Sequence, residues 1–454
     1  MIGPQGLFPA SEILAETSFL RTPSLLWLGT SDTCIFIVVG LGLCGSLLVV
    51  LNRWNRIGLA VCWMVFLSIA SVSPQFTWYK ADGLLLECAF LGWFLAPSGR
   101  RPYLGEQDPP SFVVLFAHLW LLFRLMFETG LAKAVSPDPV WRDLDAMAYF
   151  HQNMPFPTWV GWLFSQLPYG FHRFETAFTL LGECFAPFLL FCGRRARFIA
   201  LVLWFCLQTG IILSGNFLAF NYLSIGLGLL FVGYPLSKVR TSRWKEAAYG
   251  LVLLPQMLIG FALLLSFPIF PGLTMPGPVA KALETAAPFR SANVYILYPF
   301  IERERRILVL EGSDDGGATW REYGYRWQTQ RLDRRPEFLS PLSDRFEREM
   351  QRVLERPGVL PYWQNEFVLR TARRLIEGSG PVSRLFAYNP FPQGGPERIR
   401  AHIYLYQSTD LRTLLAAGKW WTRRRVGSYG PPIARDPESG AINYVDSPSY
   451  RRNP

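Results

Sequence analysis

The chain has 454 residues, of which 50% are hydrophobic, 15% aromatic and only 17% charged. This composition is more apolar and less charged than that of a typical soluble protein, and the apolar excess lies in the first 270 residues. The net charge of +11 does not indicate nucleic-acid binding, because the basic residues form short clusters between apolar segments, the pattern of the positive-inside rule. We therefore expect contact with membrane lipids and no nucleic-acid partner.

Eight apolar windows have about the length that a bilayer requires, and they predict a polytopic α-helical transmembrane bundle at 33–270. Residues 1–32 are predicted to form an external N-terminal segment, and 271–454 a soluble C-terminal domain. One short window indicates a tilted or re-entrant helix. The windows are 33–51, 57–73, 83–97 (the short one), 111–134, 175–193, 197–213, 217–234 and 247–270.

Basic residues occupy every second loop between the predicted spans, which assigns these loops to the cytoplasm. The other loops, the N-terminus and the soluble domain then lie outside the cytoplasm. Residues 1–32 carry no signal peptide, and we expect that the natural start is further upstream and adds one more span. The basic loop residues are Arg53, Arg56, Arg100, Arg101, Arg194, Arg195, Arg197, Lys238, Arg240, Arg243 and Lys245.

Several ionisable residues fall inside the predicted spans or at their ends, where a lone charge is costly. Arg124 and Glu128 are four residues apart and share one helix face. One interpretation is a polar site that binds a substrate or moves protons. The other, which we favour, is a network of buried ion pairs that fixes helix register. The candidate cluster contains Glu87, Arg124, Glu128, Lys133 and Glu183.

The loop at 136–174 is long, aromatic and rich in proline, and loops of this length are usually functional or disordered. It is interpreted either as an interfacial loop packed on the mouth of the bundle or as a docking surface for apolar segments of a client protein. His151 is a weak candidate for a general base because no carboxylate stands near it at motif spacing. The candidate docking residues are Trp141, His151, Phe156 and Trp159.

All seven cysteines lie in the apolar half, so the soluble domain is predicted to have no disulfide. No CxxC pair and no Cys/His ligand cluster occurs in the sequence. We therefore predict no metal and no cofactor. The cysteines are Cys34, Cys44, Cys62, Cys88, Cys184, Cys192 and Cys206.

The soluble domain is predicted to be β-rich, a sandwich-like α+β fold with a helical insertion. Alternating residues place Tyr323, Tyr325 and Trp327 on one face of a strand. The predicted elements are a hairpin of strands 307–313 and 319–327 with a turn at 315–317, a helical stretch at 342–378 interrupted near Pro357 and Pro361, a strand at 400–408, and loops at 386–392 and 418–432.

The last of these loops carries two tryptophans beside three arginines. The cluster is interpreted either as a grip for an anionic lipid head group or an acidic client patch, or as core-capping tryptophans next to a solvated basic strand, which we favour. Its residues are Trp420, Trp421, Arg423, Arg424 and Arg425.

The sequence contains no GxSxG, HExxH, P-loop or dinucleotide fingerprint. The chain is therefore not expected to be a lipase itself. Paired broken helices or internal repeats, which a transporter would need, are not evident either.

Many ordered blocks of the chain resemble the lipase maturation factor family. In the apolar half they are 76–97, 122–168 and QTGIILSGNFLAFNYLS (208–224). In the other half they are EGSDDGGATWREY (311–323), NPFP (389–392), RAHIYLY (400–406) and GKWWTRR (418–424). Two segments depart from the family pattern: the stretch after Pro341, and FHQNMPFP (150–157), where many members carry a HYETQPLP-like run.

The resemblance implies a non-enzymatic maturation factor, anchored in a membrane, whose outward domain engages a secreted, lipase-like client. Because eukaryotic members act in the endoplasmic reticulum, the expected location is that membrane, or the plasma membrane if the chain is bacterial. The alternative is an integral-membrane enzyme, remotely similar to carboxylase-type bundles, that uses the buried ionisable residues. The resemblance implies no catalytic residues.

Overall fold

The computed structural model of the protein describes residues 1–102, 109–232, 242–266, 275–355, 365–436 and 439–445. A helical N-terminal region is followed by a β-rich C-terminal region, as the sequence predicts. Parts of several predictions fall outside the described residues. They are the ends of the spans 217–234 and 247–270, Lys238 and Arg240 of the last basic loop, the domain boundary at 270 and 271, and the interruption at Pro357 and Pro361.

Four described helices are long and apolar enough to cross a membrane, namely α2, α5, α11 and α13 as defined below. The predicted count of eight spans is not confirmed. The helices of this region are α1 (Ala10–Ala15), α2 (Asp32–Val50), α3 (Asn55–Ser71), α4 (Lys80–Leu95), α5 (Phe112–Ala134), α6 (Pro139–Arg142), α7 (Ala146–Asn153), α8 (Trp159–Phe164), α9 (Tyr169–Leu180), α10 (Ala186–Leu189), α11 (Arg194–Ser214), α12 (Phe220–Leu229), α13 (Arg243–Leu265) and α14 (Gly277–Ala286).

Local backbone chemistry shortens two of the predicted spans. Helix α12 starts only at Phe220, because Leu218 before it adopts a left-handed backbone with φ of 58°. The window 175–193 forms α9, a π-helical turn at Leu181–Phe185, and α10. Pro187 lies in the first turn of α10, and its ring and missing N–H disfavour regular α-helical bonding with the preceding turn.

Helix α5 is the buried centre of the helical region. Its 23 residues would span about 35 Å at 1.5 Å per residue, enough to cross a bilayer. The carboxylate of Glu246 caps the first turn of α5. It accepts hydrogen bonds from the N–H groups of Phe112 (2.9 Å) and Val113 (3.2 Å). This contact also fixes the start of α13 against α5.

The C-terminal region contains one antiparallel sheet of six described strands, in the order β2-β1-β3-β5-β6 with β4 also paired to β3. The predicted strand at 400–408 is present within β3. The second hairpin strand is much shorter than predicted, and part of the predicted loop at 418–432 forms β4. The strands are β1 (Arg305–Ser313), β2 (Arg321–Glu322), β3 (Arg398–Ser408), β4 (Trp421–Ser428), β5 (Ile433–Arg435) and β6 (Ile442–Tyr444).

Helices pack on this sheet, and the predicted sandwich of two sheets is not confirmed. The amphipathic helix α15 (Arg345–Glu355) buries Phe346 and Met350, one turn apart, and lies against β1. Helix α16 (Glu366–Ile376) contacts β3 and β5. The two remaining short helices are α17 (Gly380–Ser383) and α18 (Leu411–Ala417).

A polar interface joins the helical region to the sheet region; we call it the interregion interface. The indole N–H of Trp162 in α8 donates to the carbonyl of Trp420, at 3.1 Å. Asp82 at the start of α4 forms an ion pair of 2.5 Å with Arg345 of α15. The side-chain oxygen of Asn216 accepts hydrogen bonds from the backbone of Leu339 and Ser340, and its amide donates to Glu337.

The N-terminal segment belongs to the same interface. Phe8 is buried and stacks on Phe367 of α16, with ring centroids 6.3 Å apart, while its edge meets Phe76. Glu12 forms an ion pair of 2.6 Å with Arg370. Residues that precede α2 therefore help to hold the sheet region against the helices.

Candidate functional site

The five ionisable residues predicted to cluster form two separate groups in the structure. In the first group, Arg124 lies between two carboxylates, 3.2 Å from Glu87 and 3.0 Å from Glu128, and all three side chains are fully buried. The guanidinium also donates to the carbonyl of Asn293. One arginine and two carboxylates leave a formal charge of −1, which the neighbouring donors stabilise.

Those donors come from the segment that follows α14 and from α13. Tyr295 donates its N–H to Glu128 at 2.6 Å and its hydroxyl to Glu87 at 2.7 Å. Gln256 donates to Glu87 at 3.1 Å. The first group therefore ties α4, α5, α13 and the chain that leads to the sheet into one hydrogen-bonded unit.

The second group is the ion pair of Lys133 and Glu183, at 2.6 Å and with both side chains buried. Glu183 lies in the π-helical turn at Leu181–Phe185, and that turn approaches α5 where α5 carries Gly130. A Cβ on Gly130 would lie 2.5 Å from the carbonyl carbon of Glu183. The absence of a side chain at this position is what allows the two backbones to come so close.

Gly130→Ala is therefore expected to destabilise the protein by about 1–3 kcal/mol, the usual cost of overpacking a core. The matched control is Gly210→Ala in α11, where an added Cβ meets nothing within 4 Å. Thermal unfolding of both variants in detergent measures the difference. Equal melting temperatures for the two variants would contradict the close approach of α5 and the π-helical turn.

A cavity of about 280 Å³ lies beside the second ion pair and extends between α5, α7, α9 and α11. Its walls are mostly apolar, including Trp141, Phe150 and Phe178. The polar residues at the wall include Lys133, His151, Glu175, Glu183, Gln208 and Asn221. Such a cavity suits a molecule with a large apolar part and a small polar group.

A second cavity, of about 270 Å³, lies next to the first at the interregion interface. The two share wall residues that include Lys80, Tyr298 and Arg348. The walls of the second also include Trp78 and Glu355. The helical region therefore contains two adjacent cavities on the side that faces the sheet.

The structure gives His151 the carboxylate partner that the sequence pattern seemed to lack. Its Nε2 lies 3.2 Å from Glu175, which comes from α9, 24 residues further along the chain. His172 contacts the same carboxylate, with its Nδ1 3.0 Å from Oε2, the oxygen that lies 3.2 Å from His151 Nε2. The sequence analysis considered only carboxylates at motif spacing, and that criterion does not detect contacts between separate helices.

The predicted docking residues of the 136–174 loop are mostly inaccessible. Trp141, His151 and Phe156 are 3%, 2% and 5% exposed, whereas Trp159 is 36% exposed. The loop contains α6, α7, α8 and the start of α9. Trp141 packs with Val140, Ala146 and Ile301 in a small apolar core. This corrects the docking hypothesis for the first three residues, because a client cannot contact buried rings.

The basic-aromatic cluster is divided between core and surface. Trp421 is buried, with the guanidinium of Arg305 4.2 Å from its ring centroid. Trp420 meets Trp162 edge-on, with ring centroids 4.9 Å apart. Arg424 and Arg425 are exposed on β4, and Arg423 pairs with Glu322 at 2.9 Å.

His402 in β3 makes the stability of the sheet region sensitive to pH. Burial, followed by the nearby charges of Arg425 and Arg400, lowers the pKa of His402 to about 4, while Glu322 acts in the opposite direction. Glu311 lies 3.8 Å from Nε2 but is paired with Arg400. Below its ordinary pKa of about 6.5 the unfolded chain binds a proton that the folded chain does not.

The contribution of His402 to stability is therefore expected to fall by about 1–2 kcal/mol as the pH drops from about 7 to 4. The variant His402→Gln removes this dependence. Chemical unfolding gives the free energy of unfolding of both proteins at several pH values. The difference between the two free energies separates the effect of the histidine from that of other titrating groups. A difference that stays constant between about pH 7 and pH 4 would refute the effect.

Several residues that build this site were not selected from the sequence. Gln208 and Asn221 form a buried hydrogen bond of 2.6 Å across α11 and α12. Asn293 and Tyr295 enter the helical region from the segment just before the sheet. A signal was present for the first two, since both are amides within apolar windows, but none was present for the last two.

These features define the chain as an integral membrane protein in which a helical region with buried ion pairs is docked to a β-rich region. The model of the lipase maturation factor transmembrane domain matches residues 1–234, and that of the lipase maturation factor C-terminal domain matches residues 291–431. The chain belongs to the lipase maturation factor family.

Relatives match along nearly the whole chain. Lipase maturation factor 1 from Bos taurus and from Homo sapiens are each 29% identical over 96% of this chain, covering 84% and 83% of their own lengths. Lipase maturation factor 2 from Homo sapiens is 26% identical over 96% of this chain and covers 79% of its own length. No solved structure matches.

Proposed function

We propose that the protein is a membrane-anchored maturation factor that helps secreted, lipase-like clients to reach their active fold. The observation that carries this proposal is the match of both regions, 1–234 and 291–431, to the two domains of one family. The names of its relatives describe lipase maturation. The proposed role is not enzymatic, and it requires no cofactor.

The proposed orientation places the sheet region outside the cytoplasm. Two of the basic loops contact each other, since Asn52 donates to the carbonyl of Pro102 and Trp54 N–H to that of Arg100. The sheet region packs at the other end of the same helices, where Asp82 meets Arg345. Basic loops at one end and the sheet at the other support this orientation.

The proposed membrane is the endoplasmic reticulum membrane in a eukaryote and the plasma membrane in a bacterium. In both cases the sheet region faces the compartment through which secreted proteins pass. The helical region, proposed to extend over 33–270 with up to eight spans, anchors it among membrane lipids. The part from 271 onward is proposed to contact the client.

A complementation experiment tests this role with a defined client. Cells that lack the chain and express a secreted lipase are supplied with the wild type or with an empty vector. We expect equal lipase mass in both media and several-fold higher activity per unit mass with the chain. Equal activity per unit mass would contradict the proposal for that client.

The double variant Lys133→Gln/Glu183→Gln separates a maturation factor from an enzyme in the same cells. It removes both charges of the second ion pair, so that no unpaired charge stays buried. A maturation factor that folds to the wild-type level is expected to keep its effect on the lipase. Loss of the effect at unchanged protein level would indicate chemistry at the ion pair.

A further inference from the structure

Three side chains with metal-binding atoms converge beside the first cavity, and two of them, His151 and Glu175, line its wall. They are His151 from α7 and His172 and Glu175 from α9. One ligand atom from each can be chosen so that all three lie within 4.8 Å of one another. Two of the four histidines in the chain are thus brought to one carboxylate.

Packing within the helical region fixes the orientation of these three side chains. His172 and Glu175 are three residues apart and share a face of α9. His151 is 2% exposed, and its ring lies edge-on to Phe150 and Phe164. Since the histidines are buried and oriented by packing, little side-chain entropy is lost when they bind a ligand.

We propose that His151, His172 and Glu175 form a binding site for a divalent transition-metal ion such as zinc. Two imidazoles and one carboxylate are a ligand set that zinc sites use, with bonds of about 2.0–2.2 Å. Tetrahedral bonds of this length place neighbouring ligand atoms about 3.3–3.6 Å apart. The observed distances from Glu175 to the two ring nitrogens are 3.2 and 3.0 Å.

The first cavity provides space for a further ligand of the ion. His151 and Glu175 both line it, so an ion held between them has space on one side for a further ligand. Three protein ligands with one open position are typical of zinc sites that bind water or a substrate atom. An oxygen or nitrogen atom of a molecule in the cavity is the ligand that this position would take.

Charge also favours an ion at this position. The Glu175 side chain is 16% exposed, and its polar contacts are the two imidazoles. A buried carboxylate needs a positive partner. A divalent ion supplies that partner, and the other candidate is a proton on one of the imidazoles. The two possibilities predict different results when metal is added.

The experiment uses the full chain purified in detergent, stripped with a chelator and titrated with Zn²⁺ or Co²⁺ alone. We expect close to one bound ion per chain and a visible Co²⁺ spectrum that indicates nitrogen and oxygen ligands. His172→Gln and Glu175→Gln are each expected to weaken Zn²⁺ binding by at least about 100-fold, the upper end of the cost of losing an outer partner.

His118→Gln is the matched control, since His118 is buried in α5 with its Nδ1 near the carbonyl of Val114 and lies outside the cluster. It is expected to bind Zn²⁺ like the wild type. No binding by the wild type overturns the proposal and supports a protonated imidazole. Equal binding by the wild type and both site variants overturns it as well.

X-ray absorption of the Zn²⁺-loaded wild type keeps the proposal testable if the site variants do not fold. It is expected to report two imidazoles and an oxygen ligand at about 2.0–2.2 Å. Sulfur in the coordination shell would place the ion on a cysteine and overturn the assignment. None of these measurements depends on lipase maturation, so their failure would leave the proposed function intact.

Discussion

Arg124→Met is expected to destabilise the protein by about 3–5 kcal/mol, because it leaves two buried carboxylates without their positive partner. Glu87 and Glu128 lie 3.2 and 3.0 Å from the guanidinium, and none of the three side chains is exposed. Methionine has similar length but carries no charge. The measurement is the fraction of monodisperse protein and the melting temperature in detergent.

Two controls make the Arg124 prediction specific. Arg142→Met removes an arginine whose side chain is 81% exposed, and it is expected to change stability by less than about 1 kcal/mol. Replacing Arg124, Glu87 and Glu128 together by Met, Gln and Gln is expected to recover much of the loss, since no unpaired charge remains. A fully stable Arg124→Met variant would contradict the buried triad.

Trp162→Ala is expected to cost about 3–5 kcal/mol, as truncation of a buried tryptophan usually does. Trp162 is 0% exposed and belongs to the same apolar core as the sheet residues. Its indole N–H also bonds to the carbonyl of Trp420. The substitution is therefore expected to weaken the interregion interface. The rate of limited proteolysis in the chain between the two regions measures this weakening.

The matched control is Trp159→Ala, one turn earlier on the same helix α8, where the side chain is 36% exposed. Its truncation is expected to have a much smaller effect on cleavage. Equal cleavage rates for the Trp162 variant and the wild type would mean that the two regions are not coupled through α8.

The interregion interface holds the helical region and the sheet region together. The 136–174 loop was interpreted either as an interfacial loop packed on the mouth of the bundle or as a docking surface for a client. Of its aromatic side chains, Trp162 belongs to the core that contains the sheet residues, whereas Trp159, Tyr169, Phe171 and Phe174 are exposed. If a client docks near the membrane, it meets the sheet region, Trp159 and the exposed arginines of β4, of which Arg424 and Arg425 face solvent.

The helical half was predictable where hydropathy alone decides the structure. Helix α2 matches its predicted window to within a residue, because an apolar run of that length forms a helix in a membrane. Hydropathy does not detect a left-handed residue such as Leu218 or the π-helical turn before Pro187. These local features shorten two of the eight predicted spans, and the predicted count of eight is not confirmed.

The sheet region was predicted in part. The strand predicted at 400–408 lies within β3, whereas the alternation of Tyr323, Tyr325 and Trp327, from which a strand at 319–327 was predicted, belongs to a segment in which β2 covers only Arg321–Glu322. Strand β4 lies in the segment 418–432, which was interpreted as a loop, although the favoured interpretation of its arginines was a solvated basic strand. It is a strand at the side of the sheet with a solvated surface, so its arginines need not alternate with apolar residues.

The candidate site could be predicted only in part. The charges of Arg124, Glu128 and Glu183 stand out from apolar sequence, and the expectation that they would pair follows from the cost of burying charge. Which partners they choose depends on helix packing, which placed Lys133 with Glu183 and Arg124 with two carboxylates. The convergence of His151, His172 and Glu175 needs the same packing and has no signal in residue spacing.

The most direct test of the central claim is an unbiased comparison of secreted enzymes from cells with and without this chain. Protein mass and catalytic activity are measured for each secreted lipase and esterase. A maturation factor predicts unchanged mass and strongly reduced activity per unit mass for a few enzymes, which are then its clients. Unchanged activity per unit mass for every enzyme would contradict a role in lipase maturation.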